Sequence, residues 1–249
     1  MRMESQAKNP RRRRARQGGQ EIMEFGMVAM FFVPLIMGTF VAGMGLIKSI
    51  QANMVVRDMG NMYIHGGDFS TYPMQQLAQN LGVGLNLQMP AFSSGTTNVQ
   101  NNTGTSGDGM IWVTQVMYVG ATTDPICVAT IAAGHTCANQ NSFVYTQQIL
   151  FGNSTVGTAN PNALGNAATN GVTFGSGGAG IVQNYAWDST AKLPTTAQSI
   201  MANLFQVNTN GQSPLVDGQV VYIVEGFFQT PSLTLGAFTS QGVYARSFF

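Results

Sequence analysis

Residues 22–47 read IMEFGMVAMFFVPLIMGTFVAGMGLI, and this stretch decides how the chain is organised. It contains one charged residue, Glu24. A helix rises ~1.5 Å per residue and the hydrocarbon core of a bilayer is ~30 Å thick, so the stretch is long enough to cross a membrane. A cleavable secretory signal has a shorter apolar region of ~7–15 residues. The pattern therefore predicts a transmembrane helix over residues 22–47.

Charge is distributed unevenly on the two sides of this stretch. Residues 1–19 have seven basic side chains against one acid, Glu4, which gives a net charge of +6. The remaining residues have four basic and nine acidic side chains, a net charge of −5. A basic segment directly before an apolar one is typical of a cytoplasmic N-terminus. Membrane topology and attraction to anionic lipid explain the arginines better than nucleic-acid binding does.

The helix is expected to continue beyond the membrane. Residues 48–64, KSIQANMVVRDMGNMYI, lack proline and have apolar side chains at helical spacing, and the glycines at 66 and 67 indicate a stop. Pro34 removes one backbone donor and favours a kink within the apolar stretch. The sequence thus predicts a cytoplasmic leader at 1–19, one long helix at 20–66 and an extracytoplasmic domain at 67–249.

The domain at 67–249 is polar without being strongly charged. Charged residues form 8% of the chain, against roughly 25% in typical soluble domains, and Asn, Gln, Ser, Thr and Gly supply the polarity instead. Such a composition suits an exported β-rich domain. Alternating and β-branched patterns predict an α+β fold in which an antiparallel sheet with long Gly/Asn-rich loops follows the helix. The expected strands are 110–119, 142–151, 219–228, 232–238 and 242–248. The expected helices are 71–87 and 197–207. The expected loops are 92–109 and 152–180, with short strands within or just after the second loop, at 172–174 and 181–185.

The two cysteines, Cys127 and Cys137, are close in sequence. Outside the cytoplasm they are expected to form a disulfide, which would close one short loop. The alternative is a pair of buried free thiols.

Motifs for enzymatic chemistry are weak. Residues 175–180 satisfy G-x-G-x-x-G, but they lie in a low-complexity segment without the strand before and helix after that a dinucleotide site requires. His65 and His135 are the only histidines, and a site built from His135 and the two thiols lacks a fourth ligand. Asp188 and Glu225 are isolated acids, more consistent with solvated or structural roles than with catalysis. The sequence predicts no catalytic residue, no metal site and no cofactor.

The junction between leader and helix is more specific. Residues 18–25 read GGQEIMEF. An acidic residue within a membrane segment usually has a function, and this applies to Glu24. The alternative is that Glu24 lies at the cytoplasmic interface with its carboxylate in water.

A basic leader, a glycine, a glutamate followed by phenylalanine and then an apolar helix together resemble the class III signal of type IV pilins and pseudopilins. Within that class the sequence GQEIMEF at residues 19–25 is most similar to the junction of TadE-like minor pilins or pseudopilins of the tight-adherence (Tad, type IVc) pilus, although Met23 stands where valine is common. Residues 52–64 resemble the end of that family's helix. Residues 220–249 resemble its closing strands, with a Val-Glu-x-Phe-type step and a terminal Tyr-x-Arg.

The resemblance implies a role for each junction residue. A prepilin peptidase would cut between Gly19 and Gln20, and Glu24, followed by Phe25, would pair with the N-terminal amine of a neighbouring subunit. The implied fold is pilin-like. The implied partners are other pilin subunits, the prepilin peptidase, the inner-membrane pilus assembly platform and membrane lipid, with no nucleic acid.

The resemblance also implies a location in the bacterial inner membrane, single-pass, with the N-terminus cytoplasmic and the domain extracytoplasmic, and then in an extracellular pilus. The alternative function is an uncleaved single-pass membrane-anchored extracytoplasmic binding or adhesion domain.

Overall fold

The computed structural model describes residues 11–92, 96–159, 162–205, 216–229 and 242–249, with side chains from residue 19 onward. The chain forms a long N-terminal helix followed by a mixed five-stranded sheet and short helices, an α+β arrangement. The helices are α1 (Arg11–Ile64), α2 (Tyr72–Leu81), α3 (Pro125–Ala132), α4 (Ser154–Ala159) and α5 (Thr195–Leu204); the strands are β1 (Asn101–Gly104), β2 (Gly109–Val119), β3 (Ser142–Asn153), β4 (Val220–Phe228) and β5 (Val243–Phe248).

Helix α1 is longer than the sequence predicts. Its 54 residues begin at Arg11, so the second half of the basic leader continues the same helix, and it passes through Pro34 without a break. It ends where predicted. Gly66 adopts a φ of 87°, and the N–H of Gly67 donates to the Met62 carbonyl at 2.9 Å. A glycine in this left-handed conformation directly after a helix satisfies its last carbonyls, which explains the stop.

The strands lie in the order β1-β3-β2-β4-β5. All neighbours are antiparallel except β1 and β3, which are parallel, so the prediction of a wholly antiparallel sheet is wrong. Strand β1 lies within residues 92–109, which were expected to be a loop. Its sequence, NNTG, has no β-branched alternation; it forms because its backbone pairs with Leu150–Asn153 at the open edge of β3.

The other strand predictions mostly hold. Strands β2, β3, β4 and β5 agree within about two residues with the predicted 110–119, 142–151, 219–228 and 242–248. Helix α2 lies within the predicted 71–87, and α5 overlaps the predicted 197–207. The strand expected at 232–238 lies outside the described residues. Helix α3 was not predicted.

Helix α1 packs against one face of the sheet. Tyr63 donates its hydroxyl to Gln147 Oε1 at 2.7 Å, which fixes the end of the helix on β3. This core lies between the second half of α1, helix α2 and the central strands. Its most deeply buried members include Ala52, Val56, Met59, Phe69, Ile111, Val113, Ile149, Phe151, Val224 and Phe228.

The opposite face is covered by residues 162–205. The prediction of a long exposed loop at 152–180 is wrong: α4 forms there, and Leu164, Ala167 and Val172 are buried against the sheet. Gln148 of β3 explains this, because its Oε1 accepts the Ala167 N–H at 2.7 Å and its Nε2 donates to the Gly165 carbonyl at 3.1 Å. The short strands expected at 172–174 and 181–185 are reduced to isolated bridges, Phe174 with Val182 and Gln147 with Ile181.

Candidate functional site: the exposed segment of the N-terminal helix

Helix α1 has two parts with opposite environments. From Ala52 to Tyr63 one face is buried against the sheet, whereas residues 19–51 have no buried side chain. The most apolar window of the helix has a mean hydropathy of 2.1, and none of it is buried. The large exposed side chains of this part are Ile22, Met23, Phe25, Met27, Val28, Met30, Phe31, Phe32, Val33, Leu35, Ile36, Met37, Phe40, Met44, Leu46, Ile47 and Ile50.

Water is a poor environment for this surface. Phe31 is 74% exposed and Met30 76%. Burying one such side chain contributes about 1.5–3 kcal/mol, so the segment as a whole needs an apolar environment such as lipid or other helices. The helix is therefore compatible with a single-pass membrane anchor.

Charges stand at the two ends of this apolar part. No charged residue occurs between Glu24 and Lys48, which are ~36 Å apart along the helix at ~1.5 Å per residue. That rise is close to the ~30 Å thickness of a hydrocarbon core. Glu24 is exposed, and among the side chains that the structure describes no cation lies within 4.0 Å of it.

The junction residues lie on the same exposed helix. A Cβ placed on Gly19 would meet nothing within 4 Å, so the Gly19–Gln20 peptide bond is not covered by the rest of the described chain. The side chain of Phe25 is 74% exposed. From Gly19 to Phe25 the helix rises ~9 Å. Gly19, Gln20, Glu24 and Phe25 therefore all lie on the exposed first part of α1.

Pro34 lies midway along the apolar part. Having no N–H, it cannot donate to the carbonyl of Met30 one turn earlier. Nearby, Thr39 Oγ1 donates to the Ile36 carbonyl at 2.8 Å, an additional bond within the same helix. The proline thus weakens the helix at one point without ending it.

The cysteines lie on the domain. Cys127 in α3 and Cys137 after it are joined by a disulfide, with a Cα–Cα distance of 5.3 Å. The Asp217 carboxylate accepts the backbone N–H of Gly120 at 2.7 Å and of Ile126 at 2.9 Å, which anchors the start of α3. His135 stacks on Trp187 with ring centroids 4.2 Å apart. The region is a small cross-linked unit, and its thiols are not available as metal ligands.

Glu225, expected from the sequence to be an isolated acid with a solvated or structural role, is structural and is neither isolated nor solvated. It is fully buried, and its carboxylate accepts hydrogen bonds from Asn162 Nδ2 at 2.9 Å, from the Ala163 N–H at 3.2 Å and from the Tyr244 hydroxyl. Arg246 Nη1 lies 3.8 Å away. Burial, and secondarily the charge of Glu225, raises the pKa of Tyr244. With three hydrogen-bond donors, a nearby arginine and no access to solvent, Glu225 is a structural anchor.

The sequence did contain a sign of this arrangement. The Val-Glu-x-Phe step and the terminal Tyr-x-Arg lie on β4 and β5, and the register places Glu225 directly opposite Arg246. Alternation along β5 then puts Tyr244 and Arg246 on the same face. Only the pairing of the two strands, which the sequence does not state, shows that the two motifs meet.

Comparison with known proteins does not extend this description. No protein-family model, no curated protein and no solved structure matches the chain.

Proposed function

We propose that this chain is a TadE-like minor pilin or pseudopilin that takes part in assembling an adhesive type IV-class pilus. Its apolar helix would hold it in the bacterial inner membrane with the domain outside the cytoplasm. A prepilin peptidase would remove residues 1–19, and other pilin subunits and the inner-membrane assembly platform would be its partners. The domain would be displayed on the resulting filament.

One observation carries the proposal. A single continuous helix packs against the sheet only through its second half, and its bare apolar half begins with one carboxylate five residues after Gly19. A plain membrane anchor needs only the apolar length, and it would hold this carboxylate at the cytoplasmic interface with its charge in water. Leaving a charge unpaired in a low-dielectric environment costs several kcal/mol, so Glu24 favours a neighbour that brings the opposite charge. Cleavage after Gly19 would create such a cation, the amine of Gln20.

Contacts at the far end of the chain give further support. The two C-terminal motifs that resemble the TadE-like pattern come together around Glu225, on adjacent strands.

Processing tests the proposal directly. The full chain is co-expressed with a prepilin peptidase from a Tad system, extracted from membranes and examined by intact mass and N-terminal sequencing. We expect a mature chain that begins at Gln20. Gly19→Leu should retain the leader, whereas the matched variant Gly18→Leu should still be processed. A wild-type chain that begins at Met1 in the presence of an active peptidase would overturn the proposal.

The alternative is an uncleaved, membrane-anchored binding or adhesion domain. The length and exposure of the apolar helix support it equally, because an anchor needs nothing more. In that case the chain would keep its leader and remain in the membrane fraction, and sheared filaments would not contain it. Immunoblots of sheared filaments and membranes from the same cells separate the two functions.

A further inference from the structure

A cavity of about 380 Å³ opens on the sheet face opposite α1. Its floor is formed by the buried side chains of Met110, Trp112 and Leu150. Helix α4 lies close over this floor, because a Cβ at Gly157 would stand 2.8 Å from Met110 Cγ and 3.3 Å from Trp112 Cζ2. The cavity therefore has an apolar base at a place where two elements approach closely.

The wall of the cavity is polar and uncharged. It consists of amide and hydroxyl side chains, among them Asn101, Thr103, Ser154, Asn162, Asn166 and Asn170. None of the lining residues that the structure describes is charged. Within the part of the chain that the structure describes, two buried atoms of this wall, Asn162 Oδ1 and Asn170 Nδ2, have no hydrogen-bond partner. Buried polar atoms normally have one. The wall amides that a ligand can reach are those of Asn101, which is exposed, and Asn166, which is partly exposed.

Hydrogen bonds to the rest of the domain fix the side chains of the wall. Asn162 is 6% exposed, and its Nδ2 donates both to Glu225 Oε2 and to the Gly165 carbonyl, at 2.9 Å each. Ser154 Oγ donates to the Gly104 carbonyl at 2.9 Å. Side chains that are already fixed lose little freedom when a ligand arrives, which favours binding.

We propose that this cavity binds one neutral sugar ring of a glycan. Its volume falls in the range of ~300–1,000 Å³ that is usual for ligand pockets, with an apolar base and convergent polar groups. A phosphate, carboxylate or ammonium group would find no opposite charge among the lining residues, and a purely apolar ligand would leave the wall amides unpaired. A sugar ring offers C–H groups to the carbon atoms of the lining and hydroxyls to the amide and hydroxyl groups of the wall.

The proposal rests on the cavity alone and goes beyond the proposed function. A pilus subunit and an uncleaved anchored domain would both display the cavity outside the cytoplasm. Peptidase processing and glycan binding are measured separately, so the failure of one is distinguishable from the failure of the other.

The test uses the full chain in a detergent without sugar head groups. Methyl glycosides of neutral hexoses and N-acetylhexosamines, and arrays of neutral, sialylated and sulfated glycans, serve as probes. Trp112 and Trp187 are the two tryptophans, so Trp187→Phe makes fluorescence a report on the cavity floor. We expect saturable binding of a neutral glycan. Asn101→Ala and Asn166→Ala should each weaken binding about tenfold, as expected for a lost hydrogen bond to a ligand.

Asn80→Ala, on an exposed position of α2, is the matched control and should bind as the wild type does. Thr103→Val, which keeps the shape and removes the hydroxyl, replaces either asparagine variant if that variant loses its near-UV circular dichroism. Absence of binding to every neutral glycan, preference for sialylated or sulfated ones, or binding that the cavity variants leave unchanged would overturn the proposal. So would binding of a neutral Asn/Ser-rich peptide, but not a glycan, that the same variants abolish.

Discussion

The hydroxyl of Tyr244 in β5 donates a hydrogen bond to the carboxylate of Glu225 in β4, on the sheet face turned away from α1. The same carboxylate accepts hydrogen bonds from Asn162 Nδ2 and from the Ala163 N–H. One buried acid therefore holds the edge strand β5 and the polypeptide that covers this face. Removing its charge should loosen both at once.

Glu225→Gln should lower the free energy of unfolding by about 2–4 kcal/mol, because an amide nitrogen would face one of the three donors and leave it unsatisfied. The measurement is urea unfolding of the full chain in detergent, followed by near-UV circular dichroism. Asp58→Asn, an acid-to-amide change at an exposed position of α1, should change the value by less than about 0.5 kcal/mol. Equal effects from the two variants would contradict the structural role of Glu225.

Stability should fall at alkaline pH because burial raises the pKa of four tyrosines, Tyr63, Tyr118, Tyr145 and Tyr244, of which Tyr63 and Tyr145 serve for the test. Tyr63 is 6% exposed and Tyr145 is fully buried, and burial raises the pKa of both well above the ordinary value of 10.0. The unfolded chain releases these protons near pH 10 and the folded chain does not. Their stabilising contribution is therefore complete below pH 10 and is lost as the pH rises toward the folded-state pKa, at ~1.4 kcal/mol per pH unit and per group.

Urea unfolding at several pH values between 9 and about 11.5 gives this slope. Tyr63→Phe should reduce the loss of stability per pH unit by the contribution of one tyrosine, ~1.4 kcal/mol. Tyr72→Phe, at a position 43% exposed, should not change this slope. A slope that the Tyr63 variant leaves intact would mean that this phenol ionises equally in the folded and unfolded chain.

The last residue of the chain packs directly on α1. A Cβ at Gly60 would overlap the ring of Phe249, whose backbone is fixed by two hydrogen bonds to Tyr222, at 2.9 and 3.0 Å. Gly60→Ala should therefore destabilise the fold by about 1–3 kcal/mol, although alanine favours helices. Phe249→Ala in the same chain should remove the clash, so the double variant should be less destabilised than the sum of the two single variants. Gly45→Ala, where a Cβ meets nothing within 4 Å, is the control.

Reduction of the disulfide should lower the free energy of unfolding by about 2–3 kcal/mol. Cys127 and Cys137 are separated by 10 positions, and closing a loop of that length restricts the unfolded chain by about this amount. Unfolding is compared with and without reductant, and the Cys127→Ala/Cys137→Ala double variant should show no response to reductant. Thiol labelling of the denatured, unreduced protein from native membranes should detect no free cysteine. Free thiols would favour a cytoplasmic domain, because structural disulfides persist outside the cytoplasm.

Glu24→Gln should separate processing from assembly. Cleavage after Gly19 should continue, because the amide keeps the size of the side chain, whereas incorporation into filaments and crosslinking to pilin subunits should fall at least about tenfold when the pairing charge is lost. Glu21→Gln, an exposed acid one turn earlier, is the matched control and should assemble normally. Normal assembly of the Glu24 variant would remove the basis for a charge-pairing role.

Local patterns predicted the parts of this fold that local physics determines. The apolar length and helical spacing of α1 are visible in the sequence, as are β2, β3 and β4, which are rich in Val, Ile and Tyr. Strand β1 was missed because NNTG forms only by pairing with the edge of β3. The sequence did not predict that residues 162–205 cover the second sheet face. Leu164 and Ala167 enter the core there because the side chain of Gln148, distant in sequence, hydrogen-bonds to the backbone of this segment.

The candidate site divides in the same way. Gly19, Gln20, Glu24 and Phe25 form a linear motif, so sequence alone can propose them. The role of Glu225 depends on the register of β4 against β5, and the cavity over Trp112 depends on three distant segments meeting. No spacing rule along the chain indicates either of them.

The continuity of α1 has a mechanical consequence. Ala52, the first residue of the helix buried against the sheet, follows Ile47 by only ~7.5 Å of helical rise. A flexible linker would let the domain rotate freely above a bilayer, whereas a helix that continues into the core joins the apolar segment and the domain rigidly. A force applied to the domain would therefore act on the apolar segment directly. The helix lacks a backbone hydrogen bond at Pro34, so bending of α1 would concentrate there, within the lipid.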